Sequence, residues 1–350
     1  MRRRSPDEKN ALAGQKGSTL GNFSPDGKSI FLSRGWGNGE LYKSIRRGWG
    51  VYLFNEYIGS WEDWGRVFQS IAVFEPLVGA IMKEEKLAFD RIYNLTPGTN
   101  AVFRVGTYVL KIFAPEECGR GQNRDFETEV FALKFAVEHG VTAPRLVGSG
   151  AYKDKYVFHY IVSDYVEGRE FNDEVKRMSG GQKVEAGREL RRLTDGMNVP
   201  CDDFNGIDIL DGNYVKSRFE RFGERFREER LEYIRTFEYG EKVFVHGDLF
   251  GENCILGRDG RFYIIDFADA VRAPVCYEYA LVAVDFFKFD KYLLKGFFGD
   301  LDSDELAEIC LSGILIHNFG AEVIEMDIGK SYEFETIGDL RKRIKELIDN

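Results

Sequence analysis

The sequence predicts an α+β protein of two lobes, the first β-rich and the second mainly helical, with an N-terminal helical extension. Three observations carry that prediction. Short apolar runs broken by glycine and proline follow one another between residues 92 and 113, and a longer one returns at 157–166. From about residue 181 onward, apolar positions recur mostly at helical spacing. Strand-like runs reappear in the second half only around 246–266, where they frame an unusual set of Asp and Asn residues. The chain has 350 residues, enough for two lobes and a short extension but not for three full domains. The expected division is a flexible leader at 1–40, a helical extension at 41–90, a first lobe at 91–166 and a second lobe at 167–350.

Each element has its own signal. Residues 1–40 are rich in Gly, Ser, Asn and Lys without apolar periodicity, which reads as a loosely attached leader. Met1-Arg2-Arg3-Arg4 opens basic, but no apolar run follows, so a secretory signal is not expected. Over 61–81 the positions Trp61, Trp64, Val67, Phe68, Ile71 and Phe74 predict one amphipathic helix, N-capped by Ser60 and docked on the next lobe. The most apolar stretch, 71–82, contains Glu75 and Pro76 and is too short to span a bilayer. A cytoplasmic protein without a membrane partner is the expectation. Strands are predicted at 92–95, 101–105 and 107–113, then a helix at 125–139 ending on Gly140. The strand at 157–166 stops at Glu167-Gly168, so 162–168 is the natural hinge between lobes. Helices follow at 181–193 and 215–237, the latter with Phe219, Phe222, Phe226 and Ile234 on one stripe, and the chain closes with a helix at 340–348.

Composition excludes some functions. There are 48 Lys and Arg against 58 Asp and Glu, a net charge of −10, whereas binding to a phosphate backbone needs an excess of cations. Nucleic acid is therefore not an expected partner. Five scattered cysteines form no Cys-x-x-Cys pair, which leaves neither a zinc site nor a disulfide framework and fits a reducing compartment.

The chemistry concentrates in 243–266. Residues 254–256 and 262–265 read as two strands joined by the Asp259-Gly260 turn. A hairpin brings its open ends together, so Asn253 at the entry and Asp266 at the exit should face each other. A carboxylate and an amide oxygen are hard ligands, suited to a Mg²⁺ that carries triphosphate oxygens. Asp248, one loop earlier, is placed to accept a hydroxyl proton or orient a nucleophile. Taken singly, Asp and Asn are ordinary turn residues; it is the joint spacing that points to function. His246 is read as a structural brace. In the first lobe Lys111 is a lone cation in the apolar run Tyr108-Val-Leu-Lys-Ile-Phe113, and a buried ammonium needs an anion. Glu129 is its best partner, since it shares a helix face with Phe126 and Leu133. The alternative is a lysine snorkelling from an edge strand. The glycine turn with Gly98, Thr99 and Asn100 could cradle phosphate oxygens through backbone N–H groups. At the hinge, Asp164 and Val166 would offer backbone groups to a nucleotide base.

His246-Gly247-Asp248, Asn253 and Ile265-Asp266-Phe267 together resemble the aminoglycoside phosphotransferase family, small-molecule kinases that share the two-lobed fold of the protein kinases. The resemblance runs over about 92–285. It implies that Asp248 is the catalytic base, that Asn253 and Asp266 are Mg²⁺ ligands, and that Lys111 and Glu129 hold the α- and β-phosphates of ATP or GTP. The protein-kinase pattern fits less well: Gly247 replaces its Arg, Ala268 replaces the Gly of Asp-Phe-Gly, and no Ala-Pro-Glu follows. Glu278 stands where the family usually has Asp, in a motif that braces the catalytic loop, and Thr194 stands where many relatives carry His. The expected activity is transfer of the γ-phosphate of ATP or GTP to a hydroxyl of a small molecule, with an aminoglycoside or other amino sugar as the leading acceptor. Acidic residues expected to rim the cleft (Glu252, Asp269, Glu278) favour a cationic acceptor. An atypical protein kinase and an inactive nucleotide-binding pseudokinase are the alternatives.

Overall fold

The computed structural model describes residues 52–96, 98–120, 123–211 and 219–350. The leader therefore lies outside the described residues, as do Pro97 and the start of the helix expected at 215. The chain enters as two helices, α1 (Trp61–Val67) and α2 (Ile71–Glu84). Ser60 caps α1 as expected, its side chain accepting the Asp63 N–H at 3.1 Å. The single helix expected over 61–81 is corrected: the two segments meet at 89°. Ser70 is extended and donates its N–H to Val67 O at 2.7 Å, which ends one helix and opens the next. The bend lets Trp64 meet Phe74 edge-on at 5.8 Å. Apolar spacing continues through the break because both helices bury their apolar sides in one cluster. Among the described residues no single helix is long and apolar enough to cross a membrane.

The first lobe is an antiparallel sheet built from β1 (Ile92–Asn94), β2 (Ala101–Val105), β3 (Tyr108–Ile112), β4 (Leu146–Lys153) and β5 (Val157–Asp164), in the order β1-β2-β3-β5-β4. Helix α3 (Asn123–Glu138) interrupts it between β3 and β4 and ends before Gly140, whose φ of 76° is the left-handed turn that glycine permits. Strand alternation divides the sheet. Phe103, Leu110, Ile112 and Phe158 pack with α1 and α2, whereas Val109, Lys111 and Ile161 face the cleft. Strand β4 was not expected, because Gly148-Ser149-Gly150 carries no strand signal; its pairing with β5 supplies the structure that its side chains do not.

In the second lobe, β6 (Gly168–Glu170) leads to α4 (Gly180–Met197), which Ser179 and Gln182 open with a capping box. Helix α5 is Glu224–Thr236. Phe219 and Phe222, expected inside it, precede it in a turn but still stack on Phe226 at 6.3 and 4.5 Å, so the aromatic stripe survives without the helical backbone. Strand β7 (Lys242–Val245) pairs with β10 (Val271–Pro274), and β8 (Cys254–Gly257) pairs with β9 (Phe262–Ile264) and β6. The longer helices that follow are α6 (Cys276–Leu281), α7 (Lys291–Phe298), α8 (Ser303–Ile316) and α9 (Ile337–Asp349). Their apolar faces form the large second core. A cleft separates the lobes, and the β7–β10 and β8–β9 pairs deliver their loops to it.

Candidate active site

The cleft has a volume of about 290 Å³ and is lined from both lobes. Its charged centre is Lys111, 6% exposed, whose position in β3 turns it away from the core cluster of the extension. The ammonium is paired with Glu129 of α3 and lies 2.8 Å from Asp266 Oδ1 of the other lobe. Breaking such a buried ion pair by removing one partner costs about 3–5 kcal/mol, because the remaining charge is stranded away from water.

Asp266 leaves β9 with φ 66°, a left-handed backbone that Asp tolerates better than most residues. The hairpin closes beneath it, with Ile265 N–H donating to Asn253 O at 2.9 Å. Asn253 Nδ2 donates to Asp248 O at 2.8 Å and to Asp248 Oδ2 at 3.2 Å. An amide whose NH₂ is committed to Asp248 presents its oxygen on the opposite edge. Asn253 and Asp266 both line the cleft, so an amide and a carboxylate, both carrying hard oxygen donors, border the same space.

The loop that carries Asp248 is held by buried groups. His246 Nε2 donates to Ile265 O at 3.0 Å, while Nδ1 accepts the Asp248 N–H at 3.3 Å. Both ring nitrogens are thereby spent on backbone, which is a bracing arrangement. Glu278 is fully buried, and its two oxygens accept the N–H groups of His246 and Gly247, each at 3.0 Å. Burial pushes its carboxyl up to about 7, against the two hydrogen bonds that favour the carboxylate. Placing Glu278 on an acidic rim is therefore corrected: a carboxylate that caps two buried N–H groups cannot also face solvent. Gly247 has φ 77°, and a Cβ there would lie 2.1 Å from Asp269 O, so the loop accepts no other residue at this position without shifting.

A second, polar cavity of about 230 Å³ lies against Gly247 and Asp269. Asp125, in the first turn of α3, faces it too. Its carboxyl is pushed up to about 6, by burial first and then by the charge of Asp269, with Lys111 opposing. Asp125 was missed in the sequence, although it sits four residues before Glu129 on the same helix face. Glu170 was missed as well. It accepts the Thr96 hydroxyl at 3.0 Å and so joins the glycine turn to the second lobe, a contact that no local pattern announces.

Other expected positions are placed differently. Gly98 lines the cleft, but Thr99 and Asn100 are absent from its wall. Thr99 O accepts the indole N–H of Trp64 at 2.8 Å, and Asn100 is buried at the entry to β2. The turn has two sides, and only the Gly98 side meets the cleft. Asp164 and Val166 both line it. The Asp164 N–H is nonetheless spent on Arg145 O at 3.0 Å, and its carboxylate pairs with Arg145 in solvent at 2.9 Å. Of the expected acidic rim, Glu252 borders the cleft and Asp269 is exposed at the second cavity.

Among curated protein sequences none matches the chain. Solved structures with the same fold include a GDP complex of wild-type aminoglycoside 2'-phosphotransferase-IIIa, at 18% identity and a TM-score of 0.50, covering 78% of this chain and 98% of that one. A ternary complex of streptomycin, ATP and the aminoglycoside phosphotransferase APH(2")-IIa is similar at 16% identity and a TM-score of 0.50, over 68% and 86% of the two chains. Choline kinase LicA from Streptococcus pneumoniae is similar at 13% identity and a TM-score of 0.51, over 79% and 99%. At these identities the likeness shows a shared protein-kinase-like fold. The sequence itself goes further, since residues 97–308, more than half its length, match the model of the phosphotransferase enzyme family; the chain belongs to that family.

Proposed function

We propose that this protein transfers the γ-phosphoryl group of ATP or GTP to a hydroxyl of a small molecule, with Asp248 as the base. The observation that carries the reading is where the Asp248 loop stands. Asp248 lines neither cavity itself, but it binds Asn253, which lines the cleft, and its neighbour Gly247 lines the second cavity, so the loop ties together residues of two chambers. A triphosphate in the cleft and an acceptor in the second cavity would approach each other along this loop.

In this reading Lys111, fixed by Glu129, neutralises phosphate oxygens, and Gly98 offers its backbone N–H. Asn253 and Asp266 are the residues that would hold Mg²⁺. Among the described residues no group of three or more His, Cys, Asp or Glu side chains could hold a metal. Two oxygen donors fit Mg²⁺, which binds through one or two protein ligands and leaves its other positions to water and phosphate. When bound, the ion supplies charge neutralisation on the phosphates. Asp248 takes the proton of the acceptor hydroxyl as its oxygen bonds to the γ-phosphorus and the bond to the nucleoside diphosphate breaks. The second cavity supports a compact, amine-bearing alcohol or amino sugar, because two carboxylates, Asp125 and Asp269, line one small chamber against the single cation Arg124. Kanamycin- and streptomycin-bound phosphotransferases and a choline kinase among the structural neighbours, all acting on or holding amines, agree with this class.

Replacing Asp248 tests the assignment. Asp248→Ala is expected to lower kcat by ~10²–10⁴-fold, the usual contribution of a general base, while nucleotide affinity measured by calorimetry stays within about twofold. A fall in kcat of less than about tenfold would remove Asp248 from the role.

A further inference from the structure

The helical extension precedes the span that matches the family, yet it reaches the edge of the cleft. Trp64, 1% exposed in α1, donates its indole N–H to Thr99 O at 2.8 Å. Thr99 directly follows Gly98, which lines the same cleft as Lys111, so the bond holds the turn from its other side. The indole is itself fixed. It stacks on Phe68 at 6.2 Å and meets Phe74 edge-on at 5.8 Å, and Phe74 packs on Phe103 of β2 at 5.4 Å. At the front of the turn, Thr96 donates to Glu170 of the second lobe at 3.0 Å. The turn is thus held from both sides, by the extension behind and by the second lobe in front.

A glycine turn left to itself samples several backbone conformations, and only some aim their N–H groups at a bound phosphate. Fixing one of them in advance removes the ordering cost from binding. We infer that Trp64 is a positioning residue for the nucleotide: its hydrogen bond to Thr99 makes the N-terminal extension a working part of the phosphate-facing turn. The inference rests on the nucleotide reading of the cleft proposed above. It requires the effect to depend on phosphate, because the nucleoside end of the ligand lies toward the hinge at Asp164 and Val166, away from this turn.

The test is calorimetric titration of ATP, GTP and the matching nucleosides into the full-length wild type, Trp64→Phe and Val78→Ala. Trp64→Phe removes the N–H and keeps an aromatic ring; Val78→Ala trims the buried face of α2 and leaves the indole in place. Trp64→Phe is expected to weaken the triphosphate about five- to tenfold, the worth of one hydrogen bond, and to raise the nucleotide KM in step, with nucleoside affinity and acceptor KM unchanged. Val78→Ala is expected to lower Tm and leave triphosphate affinity intact. Triphosphate affinity in Trp64→Phe equal to wild type, or an equal loss for triphosphate and nucleoside, overturns the inference while leaving the nucleotide reading in place. A wild type that binds no nucleotide overturns both.

Discussion

Asp266 and Asn253 occupy the two ends of one hairpin, and they differ in what they can offer a cation. Asp266 brings a full negative charge, Asn253 only a carbonyl dipole already oriented by its bonds to Asp248. Asp266→Ala is therefore expected to raise the Mg²⁺ concentration needed for nucleotide binding well above tenfold, and Asn253→Ala by less. Titrating Mg²⁺ at fixed nucleotide measures both, and an unchanged requirement in Asp266→Ala would exclude that residue as a ligand. Glu278 makes a different prediction, in pH. Its carboxyl, ordinarily near 4.5, is held at about 7 in the folded protein, so between those values the folded state binds the proton that the unfolded state has lost. Stability must then fall as pH rises through that window. Relative to Glu278→Gln, the wild type is expected to lose on the order of 3 kcal/mol between pH 4.5 and 7. Urea unfolding of both proteins across the window reads the difference; parallel pH profiles would show that Glu278 does not titrate there.

At the level of elements, what the sequence revealed depended on whether a signal was local. Lys111 stood out because one cation in an apolar strand needs partners, and the periodicity of α3 supplied Glu129; the structure pairs them and adds Asp266. The β8–β9 hairpin was legible from its Asp259-Gly260 turn, and the register bears it out. The 89° bend between α1 and α2 was not legible, since apolar spacing runs through it unbroken. Nor were β4 and β10, whose Gly, Ser, Arg and Pro residues are held as strand by their neighbours. Thr99 and Asn100 lie off the cleft wall for a similarly non-local reason: Thr99 O is bonded to Trp64, thirty-five residues away, and Asn100 is buried. The extension is as much core as the strands it covers. Phe74 is fully buried against Phe54, Trp64, Phe103 and Phe158. Phe74→Ala is expected to cost about 3–5 kcal/mol in urea unfolding, and a loss under about 1 kcal/mol would show that α2 is only loosely attached.

For the molecule as a whole, the two lobes meet at a buried ion cluster and a braced loop with two cavities nearby, and the chain carries a net charge of −10. Such a field draws cations toward the site and is screened over ~10 Å at ~0.1 M salt. The second cavity, proposed to take the acceptor, was the least legible, because its lining comes from α3, the loop after Asp266 and residues 318–319, which nothing in the sequence links. The most direct measurement incubates the protein with γ-labelled ATP or GTP and Mg²⁺ against a panel of amine-bearing alcohols, amino sugars, neutral sugars and a generic protein substrate, at two ionic strengths. The predicted result is label transferred to a compact amine-bearing alcohol or amino sugar, with a KM that rises with salt and with no transfer in Asp248→Ala. Label appearing on the protein substrate alone, or transfer that persists undiminished in Asp248→Ala, would contradict it.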